Sequence, residues 1–266
     1  MNAEHETPPA PRLPPWTLLH IPHDATRIPH QVRDQFVLSD AQLARELLRM
    51  TDSHTRALFC EADANAVVAP VSRLVVDVER FEDDAREPMA EIGMGAVYRR
   101  GSSLQTLRRA LAPAEVERLL ADYYRPHHFA LKRAVAACLA THGRALLLDC
   151  HSFASQPLPC DAEQRADRPD ICIGTDEFHT PPALAEAFME TYADAGFSVR
   201  RDSPFAGAMM AEPFHRTEPR ACALMVEVNR RLYMDEVSGA RLDCFDAFAA
   251  TVQHLHRQAV ARWAAG

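Results

Sequence analysis

A chain of 266 residues, 47% hydrophobic and 7% aromatic, has ample material for a buried core, which excludes a disordered protein. Its formal net charge of −8 argues against a general nucleic-acid binder, which presents a basic face. No apolar run approaches the roughly 20 residues of a membrane-spanning helix, so neither nucleic acid nor a membrane is an expected partner.

Residues 1–15 hold five of the 19 prolines and are expected to form a loose tail, with residues 16–266 as a single catalytic domain. Apolar runs predict strands at Thr17–Ile21, Val67–Ala69, Leu74–Val78, Ala145–Leu148, Ile171–Ile173, Phe197–Arg200 and Ala223–Val228. Helical patterns fall between them at Asp40–Glu61, Pro113–Thr141, Pro182–Ala195 and Leu242–Ala264. Pro126 should kink or split the second of these, and Gly143 and Gly196 follow two helix ends. Strands alternating with helices predict an α/β domain with a mostly parallel sheet, whose ligands bind at the carboxyl ends of the strands. Seven cysteines without a C-x-x-C pair, and a polar N-terminus without an export pattern, suggest free thiols in a reducing cytoplasm.

Three predicted strands run into residues capable of catalysis. The first leads to His23, the central one to Asp149-Cys150-His151-Ser152, and the last carries Glu227 followed by Asn229 and Arg230. Each histidine alone has a structural explanation as a hydrogen-bonded strand end. A glutamate inside an apolar strand needs a partner, because burying an unpaired carboxylate costs several kcal/mol. Thr51-Asp52-Ser53-His54 adds a fourth element, in which Asp52 and His54 do not share a helical face. Two imidazoles and one carboxylate, His23, Asp52 and His151, suit a catalytic zinc, which takes three protein ligands and leaves a fourth position for water. Glu227 would then move the water's proton to a leaving amine.

Arg73 and Arg80 bracket an apolar stretch, and Arg73 has the fork geometry to bind a carboxylate or stabilise an oxyanion. Lys132 is the only lysine among 29 basic residues, so a salt bridge from Arg73 to Asp77 or Glu79 is as good a reading. Scarce glycine makes Gly207, in Pro204-Phe205-Ala206-Gly207, a marker for a turn or close approach. Phosphate-cradling loops, dinucleotide fingerprints and G-x-S-x-G elbows are absent from the sequence.

Five blocks in order resemble the N-formylglutamate amidohydrolase family. They are Ile21-Pro22-His23-Asp24-Ala25-Thr26-Arg27-Ile28-Pro29, Thr51-Asp52-Ser53-His54, Ser72-Arg73 through Glu79-Arg80, Asp149-Cys150-His151-Ser152-Phe153, and Val226-Glu227-Val228-Asn229-Arg230 through Met234-Asp235. The resemblance implies a three-layer α/β/α fold of the zinc exopeptidase (phosphorylase/hydrolase-like) type and cleavage of N-formyl-L-glutamate to formate and glutamate. It implies Zn2+ at His23, Asp52 and His151, Glu227 as general base, and Arg73, Arg80 and Asn229 toward a small anionic acyl-amino-acid substrate. Three departures bear on this reading. Thr26 stands where zinc carboxypeptidases place a second ligand, leaving Asp52 first and His54 second for that role. Glu79 replaces an asparagine, and Ser53 an aromatic, so substrate is less fixed than reaction class. Competing expectations are a zinc carboxypeptidase or peptide amidase with a longer groove, and a binding protein that keeps the site without turnover. Phe81–Gly101 and Gln156–Asp170 are the candidate specificity loops.

Overall fold

The computed structural model describes residues 12–61 and 63–265; most of the expected N-terminal tail lies outside them. Six strands form one sheet: β1 (Thr17–Ile21), β2 (Ala66–Val68), β3 (Ala145–Phe153), β4 (Ile171–Gly174), β5 (Val199–Arg201) and β6 (Ala221–Asn229), in the order β2-β1-β3-β6-β4-β5. The expected parallel pairing holds for β2, β1, β3 and β6. β4 runs antiparallel to β6 and β5 parallel to β4, so the sheet is mixed.

Alternation along the central strands sets the two faces. Leu19, Ile21, Leu146, Leu148, Cys150, Leu224, Val226 and Val228 point into a large apolar core under α2 (Thr55–Phe59), α5 (Pro182–Asp194) and α6 (Phe245–Ala265). On the opposite face Leu18, Ala145, Leu147, Ala221 and Ala223 meet Leu131, Val135 and Cys138 of α4 (Arg125–His142). The helices on both sides make the three layers. A further core gathers α1 (Asp40–Met50), α3 (Pro113–Leu119) and the irregular chain around residues 69–107. Among the described residues no helix is long and apolar enough to cross a membrane.

Two differences from the predicted elements position the site. The expected helix Asp40–Glu61 is interrupted: α1, started by a Ser39–Gln42 capping box, ends at Met50, and His54 adopts φ 69° before α2 begins. Contacts distant in sequence hold the break, with Asp52 N donating to His23 O (3.0 Å) and Tyr233 Oη donating to Ser53 O (3.0 Å). The expected strand Leu74–Val78 is a run of buried turns, with Val75 N bonding back to Ser72 O and Leu74 N to Ser72 Oγ. Its apolar side chains fill the irregular core, so the run signalled burial rather than pairing. Pro126 splits the expected helix: it follows directly on a π-helical stretch, at the second residue of α4, inside a run that is helical from Pro113 to His142. A single π-helical turn, Leu120–Tyr124, joins α3 to α4. Gly143 (φ 70°) and Gly196 (φ 92°) end helices as expected.

Candidate active site

The carboxyl ends of β1, β3 and β6 open on a cavity of about 1360 Å³. His23 follows β1 beyond Pro22, His151 stands on β3, and Glu227 is its register partner on β6. The helix break brings Asp52 between the two histidines. Its Oδ2 lies 3.1 Å from His151 Nδ1 and 3.5 Å from His23 Nδ1. These three buried side chains each offer one ligand atom, all within 4.8 Å of one another.

What holds the imidazoles is as informative as where they point. His23 Nε2 donates to Asp77 Oδ1 (2.8 Å) and His151 Nε2 to Asp149 Oδ1 (3.0 Å). Each ring is thus oriented by a buried carboxylate behind it, the arrangement that metal-ligating histidines adopt. Asp52 Oδ1 accepts from Arg230 Nη2 (2.9 Å), and its Oδ2 from Ser152 N (3.3 Å). His23 Nδ1 is buried and has no hydrogen-bond partner among the described residues. An orphaned nitrogen facing a carboxylate and a second imidazole fits a cation with zinc's preference for nitrogen and oxygen donors. His23, Asp52 and His151 are the residues able to hold it.

The electrostatics follow from burial and pairing. Burial opposes the charge on Asp52, yet the hydrogen bond from His151 and the nearby His23 and Arg230 hold its pKa well below the usual carboxylate range. His151 is raised well above the usual imidazole value against burial, chiefly by Asp149. Glu227 behaves oppositely: burial pushes its carboxyl up to about 8, with Asp52 adding to the rise. Its Oε2 has no hydrogen-bond partner among the described residues. A carboxyl held near neutrality beside the three-residue centre is suited to proton transfer.

Two arginines flank the centre differently. Arg73 is largely committed, its Nη2 donating to Asp77 Oδ2 (2.8 Å) and its Nε to Asp77 Oδ2 and Tyr98 Oη (3.2 Å each). It therefore supports Asp77, and through it His23. Arg80 donates no hydrogen bond among the described residues, and its nearest carboxylate oxygen, on Asp77, is 3.7 Å away. Its guanidinium lines the cavity and is the freer of the two.

Two expected residues lie elsewhere. Asn229 is fully buried, its Nδ2 donating to Pro169 O (2.9 Å) and its Oδ1 accepting from Arg231 N (3.2 Å), so it closes the end of β6 and does not line the cavity. His54 turns to the far side of the helix break, with Nε2 donating to Gly239 O (2.9 Å) and Nδ1 accepting from Arg241 Nε (3.3 Å). Of the two residues weighed as second ligand, the geometry brings only Asp52 to the centre.

Sequence reasoning gave no role to Arg230 or Asp149, and gave Asp77 only that of a salt-bridge partner for Arg73, which the structure bears out. Asp149 was legible, because two residues before His151 on one strand means the same face. It also joins a second polar group: its Oδ1 accepts from His20 Nδ1 (2.9 Å), Glu79 Oε1 lies 3.0 Å from that nitrogen, and His20 Nε2 meets His127 Nε2 at 2.8 Å. Against the effect of burial, Asp149 and Glu79 raise His20 to about 9, while burial and the His20 charge drop His127 to about 2. His20 is accordingly the donor in both contacts. His20, Glu79 and Asp149 form the second cluster able to hold a cation, and the proton on His20 offsets one of its two carboxylate charges.

A family model described as N-formylglutamate amidohydrolase matches residues 16–234. The chain belongs to the N-formylglutamate amidohydrolase family. Among curated members, it is similar to N-formylglutamate deformylase of Pseudomonas aeruginosa, at 30% identity over 251 residues covering 90% of each chain. It is also similar to N-formylglutamate deformylase of Pseudomonas putida, at 32% identity, covering 85% of this chain and 83% of that one. The crystal structure of N-formylglutamate amidohydrolase from Ralstonia eutropha superposes with a TM-score of 0.78 at 23% identity, over 96% of this chain and 95% of that one. These relationships place the chain among hydrolases that act on an amide bond, with the α/β fold of the family.

Proposed function

We propose that this protein hydrolyses N-formyl-L-glutamate to formate and L-glutamate, using one zinc ion held by His23, Asp52 and His151. The observation that carries the reading is the orphaned His23 Nδ1 beside Asp52 and His151, with both imidazoles backed by carboxylates and Glu227 adjacent. The named activity of the two Pseudomonas relatives supports the substrate.

Bound there, the cation supplies Lewis acidity, polarising the substrate's acyl oxygen and making water more acidic. The chain's own residues do the rest. Glu227 takes a proton from the attacking water at its unpartnered Oε2. The water oxygen bonds to the acyl carbon, the C–N bond breaks, and Glu227 hands the proton to the departing nitrogen. Burial raises the proton affinity of Glu227 above that of an ordinary carboxylate, which suits one carboxyl to both accept and return a proton. Arg80 meets a substrate carboxylate with an uncommitted guanidinium. Arg73 keeps Asp77 charged and in place, and its Nη1 makes no hydrogen bond among the described residues.

The test is formate release from N-formyl-L-glutamate with and without a strong chelator. Turnover that stops with chelator and returns with zinc is expected. Turnover indifferent to chelator contradicts the cation, and no turnover with zinc bound contradicts the substrate.

A further inference from the structure

The cavity is larger than the proposed substrate needs, and its two flanks differ in chemistry. N-formyl-L-glutamate has twelve non-hydrogen atoms. Allowing about 30 Å³ for each, the share of a water molecule in the liquid, it fills roughly a quarter of the 1360 Å³.

On the β1 side stand Arg73 and Arg80 with the carboxylates of Asp77 and Glu79. On the β4 side the segment 204–210 folds back over the sheet. Cys172 of β4 donates its thiol to Phe205 O (3.2 Å), and Met209 N donates to Asp149 Oδ2 (3.2 Å). Gly174 makes this approach possible, because a Cβ there would come within 2.4 Å of Gly207 O and 2.3 Å of Met225 Cε. The segment brings Phe205 edge-on to Phe153, with ring centroids 5.9 Å apart, and Met209 and Met225 also line the cavity. Arg168 lies 5.5 and 5.8 Å from the two rings, but its charge is matched by Asp161 Oδ2 at 2.7 Å. One flank therefore offers a free guanidinium, and the other a pair of aromatic rings. His151 and Glu227, on β3 and β6, lie between them in the sheet order.

A substrate whose scissile amide sits over β3 and β6 has its amino-acid carboxylate at Arg80 and its acyl group toward β4. Formyl leaves that second flank empty. We infer that this site takes N-acyl amino acids with apolar acyl groups larger than formyl, of hexanoyl or benzoyl size, seated against Phe153 and Phe205. Methionine in the cavity lining suits such a site, since its flexible thioether adapts to acyl groups of different shape. The reaction is the same amide hydrolysis, with water adding across the C–N bond to give a carboxylate and the free amino acid. The inference rests on the hydrolase reading of this site.

The experiment is an acyl series on the zinc-loaded wild-type protein: N-formyl-, N-acetyl-, N-hexanoyl- and N-benzoyl-L-glutamate, with glutamate release measured for each. The expected result is a kcat/KM that rises on the order of tenfold from acetyl to hexanoyl as methylenes leave water. In Phe205→Ala, which removes half of the aromatic pair, the hexanoyl-to-formyl ratio of kcat/KM should drop on the order of tenfold. Hexanoyl or benzoyl cleavage without formyl cleavage supports the inference and replaces formylglutamate as the substrate. Formyl cleavage with a tenfold or greater fall at acetyl and beyond overturns the inference and leaves the deformylase reading standing. Cleavage of unblocked dipeptides ahead of every acyl glutamate overturns it as well, and no cleavage in the whole series overturns both readings.

Discussion

The two faces of β3 are built from alternate residues of one strand, yet they are opposite environments. Leu146, Leu148 and Cys150 enter a dry core under α2, α5 and α6, while Leu147, Asp149 and His151 pass from the α4 contact into a buried network of charges. Histidine reports the difference. His256, on α6, sits among Phe59, Phe188 and Tyr192 with both ring nitrogens unpartnered among the described residues, and burial lowers its pKa to about 3. His151 is as deeply buried, but Asp149 and Asp52 raise it. Burial alone makes a histidine inert. Burial with placed carboxylates makes one ready to exchange its proton for a cation.

Substitutions on either face sharpen or break this contrast. Glu227→Gln keeps size and removes the proton acceptor, so kcat should fall by about 10²–10⁴-fold with zinc content unchanged. Unaltered turnover would take Glu227 out of the mechanism. Leu148→Ala opens the dry core and should cost about 2–5 kcal/mol in urea denaturation, with kcat per folded molecule preserved. A collapse of kcat with stability intact would mean the two faces are not separable.

Asp77→Asn weakens the hold on His23 and strips the buried Arg73 of its counter-charge. Zinc affinity, measured by competition with a chelator, should drop about 10–100-fold. Equal affinity would show that the carboxylate behind His23 plays no part in cation binding. His256→Phe tests the dry face through pH. Folded His256 titrates at about 3 and an unfolded histidine at about 6.5, so between those values the unfolded chain binds a proton that the folded chain refuses. Stability therefore falls as pH drops through that window, by about 1.4 kcal/mol per unit from this group. The variant should lose less stability over the same range, and parallel curves for the two proteins would refute the assignment.

Much of this was legible in the residues, and the exceptions share a cause. Apolar runs and strand-end polar residues located β1, β3 and β6 together with His23, His151 and Glu227. The reading faltered where distant contacts override local pattern. The helix break that delivers Asp52 is held by His23 O, Ser152 N and Tyr233, none of them near it in sequence. Leu74–Val78 carries β-branched residues suited to a strand, but Asp77 N bonds Ala96 O and the chain turns into the irregular core. The reversal of β4 leaves no trace in a four-residue apolar run. Asn229 lay inside a motif beside Glu227, yet its amide is consumed by Pro169 and Arg231. Arg80 and Arg73 look equivalent in sequence, and only the geometry shows which one is already paired.

The most direct test of the proposed centre is calorimetric titration of zinc into metal-free protein, comparing wild type with Asp52→Ala and His54→Ala. The account predicts one site per chain, weakened on the order of a hundredfold or more in Asp52→Ala and unchanged in His54→Ala. Zinc binding that survives loss of Asp52, or that is lost with His54, would contradict it.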